Sequence, residues 1–247
     1  MKIGAVVTIF KSDWKSIYQP LLNQDFDHFE ILPENQDAYT IQELKDYFER
    51  KELILHAPFA QANLVAPSQH IREASYTYLS EVLTPLVKHF HPNVITTHIG
   101  KIGSFYESAI LDEFIKLRKK FLTITFENLP ESSTFWSESY PYNDIQLDYI
   151  LNTTHAPLTF DVGHWGRQGF DVYSFLQKYG GSIRNIHLHD FKKGKDHLPF
   201  GKGDLDLPKF LSILKKSNYH YYLTLELGFE NTAVTIESYQ IVKKLLV

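Results

Sequence analysis

The chain contains no cysteine in 247 residues. Disulfides and thiolate ligands are therefore excluded, and any bound metal must be held by His, Asp, Glu or water. No stretch approaches the ~18 consecutive apolar residues of a membrane span. Residues 1–10 are too short an apolar run for a signal peptide, and Phe10-Lys11-Ser12 ends it without a small-residue cleavage pattern. The expectation is a soluble, cytoplasmic protein with no membrane partner. A long basic tract is also missing, and the net charge is −4. Electrostatic capture of nucleic acid depends on neutralising many phosphates, so this balance argues against it. No glycine-rich dinucleotide fingerprint follows the first apolar run, and no organic cofactor is expected. Nothing resembling a linker or a low-complexity segment divides the chain, which reads as one domain over residues 1–247. Self-association into a homo-oligomer is left open.

What is present is an alternation of short apolar runs and longer amphipathic ones. The runs Lys2–Thr8, Phe29–Leu32, Leu53–His56, Val94–His98, Leu122–Glu127, Leu158–Asp161, Ile183–Leu188 and Tyr221–Leu225 predict eight strands. Between them the pattern predicts helices over Trp14–Asn23, Thr40–Arg50, His70–Phe90, Phe105–Lys119, Ile145–Asn152 and Val172–Tyr179. Asp206 reads as the N-cap of a helix running to Lys216 with Pro208 in its first turn, and Val234–Leu246 closes the chain as a helix. Pro85 removes a backbone donor inside the third helix and predicts a kink near Glu81–Thr84. The polar segment Pro130–Asn143 reads as irregular. Eight strands alternating with eight helices imply parallel pairing with right-handed crossovers. The expected fold is a single parallel, eight-stranded (β/α)8 TIM barrel, and about this length is common for one.

In such a barrel the catalytic groups sit where the strands end. Strands three to eight end, in order, at His56, His98, Glu127, Asp161, His187 and Glu226, with His164 and His197 just beyond. Each alone reads as a solvated loop residue or a cap. Six in register converge on one mouth, where bare carboxylates would repel one another unless a cation or protons neutralised them. Glu127, Asp161, His187 and Glu226 come from adjacent strands and form the tightest group. Three carboxylates and one imidazole suit Mn²⁺, Mg²⁺, Co²⁺ or Fe²⁺, and would accept Zn²⁺.

The chain resembles the xylose isomerase-like barrel superfamily, which includes sugar-phosphate isomerases and epimerases and endonuclease IV. The resemblance rests on His56-Ala57-Pro58-Phe59 with Asn63, Thr97-His98-Ile99-Gly100, Phe126-Glu127-Asn128 and Asp161-Val162-Gly163-His164. It continues through His187-Leu188-His189-Asp190, His197 followed by Gly201-Lys202-Gly203-Asp204, and Leu225-Glu226. It implies one divalent ion on Glu127, Asp161, His187 and Glu226, the two glutamates acting as the acid/base pair, and His164 contacting substrate oxygens. For the endonuclease branch it implies His56 and His98 joining Glu127 at another ion. A third ion would take His164, His197 and an aspartate two residues before His197. That position is Lys195 here, and Asp196 is expected to point the other way, so the third ion is in doubt.

The expected function is a divalent-metal-dependent isomerase or epimerase of a sugar, sugar phosphate or related polyhydroxy carbonyl compound. Proton transfer by Glu127 and Glu226 would pass through a metal-stabilised enediolate. The alternative is an endonuclease IV-like phosphodiesterase that uses His56 and His98 in a dinuclear site; a silent sugar-binding protein is the third reading. Lys192, Lys193 and Lys195 read either as a solvated loop edge or as a phosphate clamp. Trp165 and Phe59 are candidate apolar walls of the substrate pocket, and His197 a substrate-facing ligand. Glu30 reads as structural or solvated. His189 ranks below His187 as a candidate ligand.

Overall fold

The computed structural model of the protein describes residues 1–48, 51–103, 109–132, 134, 137–228 and 231–246. Its centre is a closed barrel of eight parallel strands. These are β1 (Lys2–Thr8), β2 (His28–Leu32), β3 (Glu52–His56), β4 (Ile95–Thr97), β5 (Ile124–Glu127), β6 (Leu158–Asp161), β7 (Ile183–Leu188) and β8 (Tyr222–Leu225). Each pairs with the next in sequence, and β8 returns to β1, where Gly4 lies opposite Thr224. This is the TIM barrel that the alternation predicts.

The helices are α1 (Trp14–Leu22), α2 (Ile41–Tyr47), α3 (Gln69–Phe90), α4 (Asp112–Lys120), α5 (Asp144–Thr154), α6 (Val162–Gly166), α7 (Val172–Tyr179), α8 (Leu207–Lys216) and α9 (Thr232–Leu246). Their starts follow local chemistry. Thr40 and Glu43 form a capping box on α2, while Asn143, Asp171 and Asp206 cap α5, α7 and α8 through their side chains. Among the described residues no helix is long and apolar enough to cross a membrane. Strand residues such as Val7, Ile31, Leu55, Phe126, Phe160, Ile186 and Leu223 belong to the one large buried apolar cluster. The barrel interior, in contrast, carries hydroxyls and amides that satisfy one another. Thr159 Oγ1 meets Thr125 Oγ1 at 2.6 Å and Thr96 Oγ1 at 3.1 Å, and the Thr224 hydroxyl donates to Asn185 Oδ1 at 2.8 Å. Buried polar groups are tolerated when paired in this way.

Several boundaries differ from the sequence pattern. The helix expected over Phe105–Lys119 begins at Asp112, where two acidic residues meet the positive end of the helix dipole. Residues 105–108 of that expectation, and 49–50 at the end of the second helix, lie outside the described residues. Leu122 is 76% exposed and belongs to the turn before β5 rather than to the strand. Helix α3 is not interrupted at Pro85; Glu81, whose carbonyl loses its partner, is exposed to solvent. The polar segment read as irregular contains a strand, Ser137–Tyr140, paired antiparallel with Gly100–Gly103. Its partner lies far away in sequence, so local composition carries no sign of it.

A second antiparallel ribbon, Asp190–Lys192 with Lys195–Leu198, follows β7 directly. The buried Asp190 carboxylate anchors what comes next. Its Oδ1 accepts from the Phe191 and Leu205 amides and its Oδ2 from those of Gly201 and Gly203, at 2.8–3.0 Å. A Cβ at Gly203 would lie 2.1 Å from the Phe191 carbonyl oxygen, so only glycine fits that approach. Asp190→Ala leaves four amides without their acceptor and should cost about 3 kcal/mol in denaturant unfolding. Amide exchange at Gly201, Gly203 and Leu205 should speed up with it. Unchanged exchange at those three amides would show that the loop does not depend on this carboxylate.

Candidate metal centre

The ends of β5, β6, β7 and β8 bring Glu127, Asp161, His187 and Glu226 together. Each offers a ligand atom, and these atoms all lie within 4.8 Å of one another. His187 Nδ1 stands 3.0 Å from Glu226 Oε2, 3.4 Å from Glu127 Oε1 and 3.9 Å from Asp161 Oδ2. Glu127, Asp161 and His187 are fully buried, whereas the Glu226 side chain keeps 15% of its surface.

The opposite nitrogen explains the orientation of the ring. His187 Nε2 lies 3.0 Å from Glu30 Oε2, and Asn185 Nδ2 donates to the same oxygen at 2.8 Å. Glu30 is fully buried inside the barrel, which corrects the solvated reading of it. An imidazole that donates Nε2–H to a carboxylate presents Nδ1 to whatever lies in front, the arrangement that outer partners impose on metal-binding histidines. Glu30 is the residue behind this site to which the sequence reading gave no role toward His187. Its one signal is a carboxylate within an otherwise apolar strand, HFEIL.

Burial alone would push His187 down, but the Glu30, Glu226 and Glu127 carboxylates more than offset it and raise the group well above its usual range. Burial raises Glu127 and Glu226, yet the surrounding histidines hold both well below the ordinary carboxylate range. Without a cation, protons on imidazole therefore neutralise the carboxylates. Glu127 Oε1 and His187 Nδ1 are nonetheless buried without a hydrogen-bond partner. Two buried ligand atoms that have no hydrogen bond and face one point are what a divalent ion would satisfy, so the donor set fits one.

His56 and His98 meet the other oxygen of Glu127, Oε2, at 3.3 and 3.0 Å through Nε2. His56 Nδ1 donates to the Ala57 carbonyl at 2.8 Å, so its Nε2 faces the carboxylate and needs a proton or a cation between them. The Phe59 ring stacks on His98 at 4.5 Å, and its amide is fixed by Glu34 Oε1 at 2.7 Å.

β7 ends at Leu188, and beyond it the His189 ring lies over Gly163, where a Cβ would approach within 1.9 Å. The His197 amide donates to His189 Nδ1 at 2.9 Å, so Nε2 carries the proton and donates to Asp161 Oδ2 at 3.0 Å. Both nitrogens are engaged, and His189 orients Asp161. Asp196 points inward rather than away. His197 adopts φ +50°, which turns the chain, and Asp196 Oδ2 lies 3.9 Å from His164 Nε2 and 2.8 Å from Arg167 Nη1. Trp165 is taken up by the core against Phe170 and Phe175, so it does not wall the pocket. Lys195 is exposed on the ribbon, as are Lys192 and Lys193. His164 donates Nδ1–H to the Asn128 carbonyl at 3.1 Å, and His197 donates Nδ1–H to that of Glu226 at 2.9 Å. A cavity of about 270 Å³ opens beside Glu226 and His197, walled by Val6, Thr8, Leu227 and Thr235.

Residues 21–245 match the family described as the xylose isomerase-like TIM barrel. The chain belongs to that family. A protein of Methanocaldococcus jannaschii described as uncharacterised is 29% identical over 174 residues, 66% of each chain. An inosose dehydratase of Clostridium perfringens is 29% identical over 102 residues, 33% of this chain and 34% of that one. The match thus spans about two thirds of the first relative and one third of the second. An inosose dehydratase of Mesomycoplasma hyopneumoniae is 24% identical across 86% of this chain and 85% of its own. Among solved structures, a D-tagatose 3-epimerase-like protein superposes with TM-score 0.84 at 21% identity, covering 100% of this chain and 97% of that one. At that identity the likeness is one of fold.

The electrostatics of the metal-free site give a pH signature. Burial pushes His164 down, but Asp161, Glu127 and Glu226 outweigh it and raise the group from 6.5 to about 9. Stability from a raised histidine is complete below the unfolded value and is lost as pH climbs through the folded one. The metal-free protein should therefore lose on the order of 2–3 kcal/mol, roughly 5–10 °C in Tm, between about pH 6.5 and 9.5. His164→Gln should flatten that slope in a scanning calorimeter. A Tm that rises over this range would contradict the assignment.

Proposed function

We propose that the protein is a divalent-metal-dependent isomerase or epimerase of a sugar or related polyhydroxy carbonyl compound. The observation that carries this reading is the convergence of Glu127, Asp161, His187 and Glu226 around two buried atoms that have no hydrogen bond, Glu127 Oε1 and His187 Nδ1. A divalent ion held by these four residues would supply a Lewis acid for a substrate carbonyl and its neighbouring hydroxyl, acidifying the C–H bond between them. Glu127 and Glu226 come from different strands on either side of His187. One can take the proton and the other return it, which epimerisation requires of two bases. Glu226 borders the cavity, while Glu127 is fixed beneath His56 and His98. His164 and His197 would meet substrate oxygens through Nε2, and Phe59 would wall the side next to His98. The exposed Lys195 is not assigned a phosphate-binding role.

The names of the relatives are consistent with this chemistry. Epimerisation beside a carbonyl and dehydration of a hydroxy ketone both begin by removing a proton next to the carbonyl. They differ in whether the second acid protonates carbon or a departing hydroxyl. The readout is deuterium uptake by a panel of ketoses and inososes in D₂O, followed by proton NMR with the Mn²⁺- or Co²⁺-loaded protein. Glu127→Gln and Glu226→Gln should each cut exchange by about 10²–10⁴ while the protein stays folded. Full exchange in either variant, with metal bound, would sink the acid/base assignment.

The second reading is hydrolysis of a phosphodiester at a dinuclear site, favoured by the group His56, His98 and Glu127. Metal content separates the two. The isomerase reading expects one tightly held ion per chain by elemental analysis. Two or more held tightly, with chelator-sensitive cleavage of abasic-site DNA, would make the hydrolase the better account.

A further inference from the structure

We propose that Arg167 is a tethered cation that closes an auxiliary cation site formed by His164, Asp196 and His197. Residue 167 then sets how many metal ions the mouth of the barrel can carry. The inference does not depend on which reaction the main centre performs.

The three side chains are arranged as ligands. Each offers an atom within 4.8 Å of the others. His164 spends Nδ1–H on the Asn128 carbonyl and His197 spends Nδ1–H on the Glu226 carbonyl, so both rings have Nε2 left for a ligand. Backbone carbonyls that fix the far nitrogen are the outer partners that metal-binding histidines usually have. The rings stand nearly perpendicular, 5.4 Å apart and 82° between planes, so their lone pairs can converge. Asp196 completes the set because the left-handed His197 turns it inward.

The site is nevertheless filled electrostatically. Arg167 Nη1 lies 2.8 Å from Asp196 Oδ2 and takes the carboxylate charge that an ion would need. The guanidinium cannot be deprotonated at any ordinary pH, so it does not leave as a proton would. Its backbone is held on two sides: the Arg167 amide donates to the Gly163 carbonyl, and the Arg167 carbonyl accepts from Gly194 in the ribbon turn, each at 2.9 Å. A metal ion entering here would have to displace a paired, anchored cation. With the site closed in this way, His164 and His197 stay available to oxygens of a neutral ligand.

The test counts ions and needs no substrate. The whole protein is loaded with excess Zn²⁺ and dialysed. Zinc per chain is measured by elemental analysis, and crystals are examined by anomalous diffraction at the zinc edge. In the wild type, no anomalous peak should lie between His164, Asp196 and His197. Arg167→Met should gain one zinc per chain with a peak at that point, and Arg167→Met combined with Asp196→Asn should return to the wild-type count. Arg167→Gln replaces the first variant if circular dichroism shows that it does not fold. A zinc peak at this point in the wild type overturns the proposal. So does an unchanged count in a folded Arg167 variant.

Discussion

The hydrogen bond between His187 and Glu30 is the constraint on which the geometry of the site depends. It joins the interior of the barrel to its mouth, because Glu30 lies in β2 and His187 near the end of β7, three strands away around the closed barrel. By accepting from Nε2, Glu30 turns Nδ1 of His187 toward three carboxylates. A buried carboxylate is costly unless paired, and here the pairing comes from His187 and Asn185 together. One oxygen of Glu30 still lacks a partner. The barrel thus keeps a negative charge behind the imidazole, which strengthens that ring as a base toward a proton or a cation alike.

The same logic runs through the other histidines. His56, His164 and His197 each donate Nδ1–H to a backbone carbonyl, which leaves Nε2 toward the mouth. His189 is reversed: a backbone amide occupies Nδ1, so Nε2 donates and the ring serves Asp161. Backbone hydrogen bonds rather than residue identity therefore decide which ring nitrogen each of these four histidines turns to the mouth. Asp161 is over-determined for the same reason, since its oxygens also cap the start of α6 through the His164 amide at 2.6 Å.

The barrel was legible because its signals are local. Apolar runs ended by His, Asp or Glu place six strand ends without knowledge of any contact, and all six side chains lie at the mouth. Three kinds of information were not local. Glu30 sits mid-strand, and only the closure of the barrel brings β2 within reach of β7. The strand at Ser137–Tyr140 is defined by a partner at Gly100–Gly103, which its own composition cannot announce. Extrapolating an extended chain through Lys195–His197 put Asp196 on the wrong side, because His197 takes a left-handed conformation, uncommon for a residue other than glycine.

That left-handed residue also bears on how many ions such a mouth could carry under the proposal for Arg167. Moving an acidic side chain by one position, from 195 to 196, would normally send it to the other face of an extended segment. The turn at His197 cancels that displacement and returns Asp196 to His164. The cation beside it then comes from α6, one helical turn beyond His164, through a guanidinium held by the same ribbon. At the mouth three strand-end carboxylates surround His187 on one side, and an arginine–aspartate pair stands on the other. Ion number in such a mouth is therefore a property of loop conformation and neighbouring charge as much as of the ligands that a motif records.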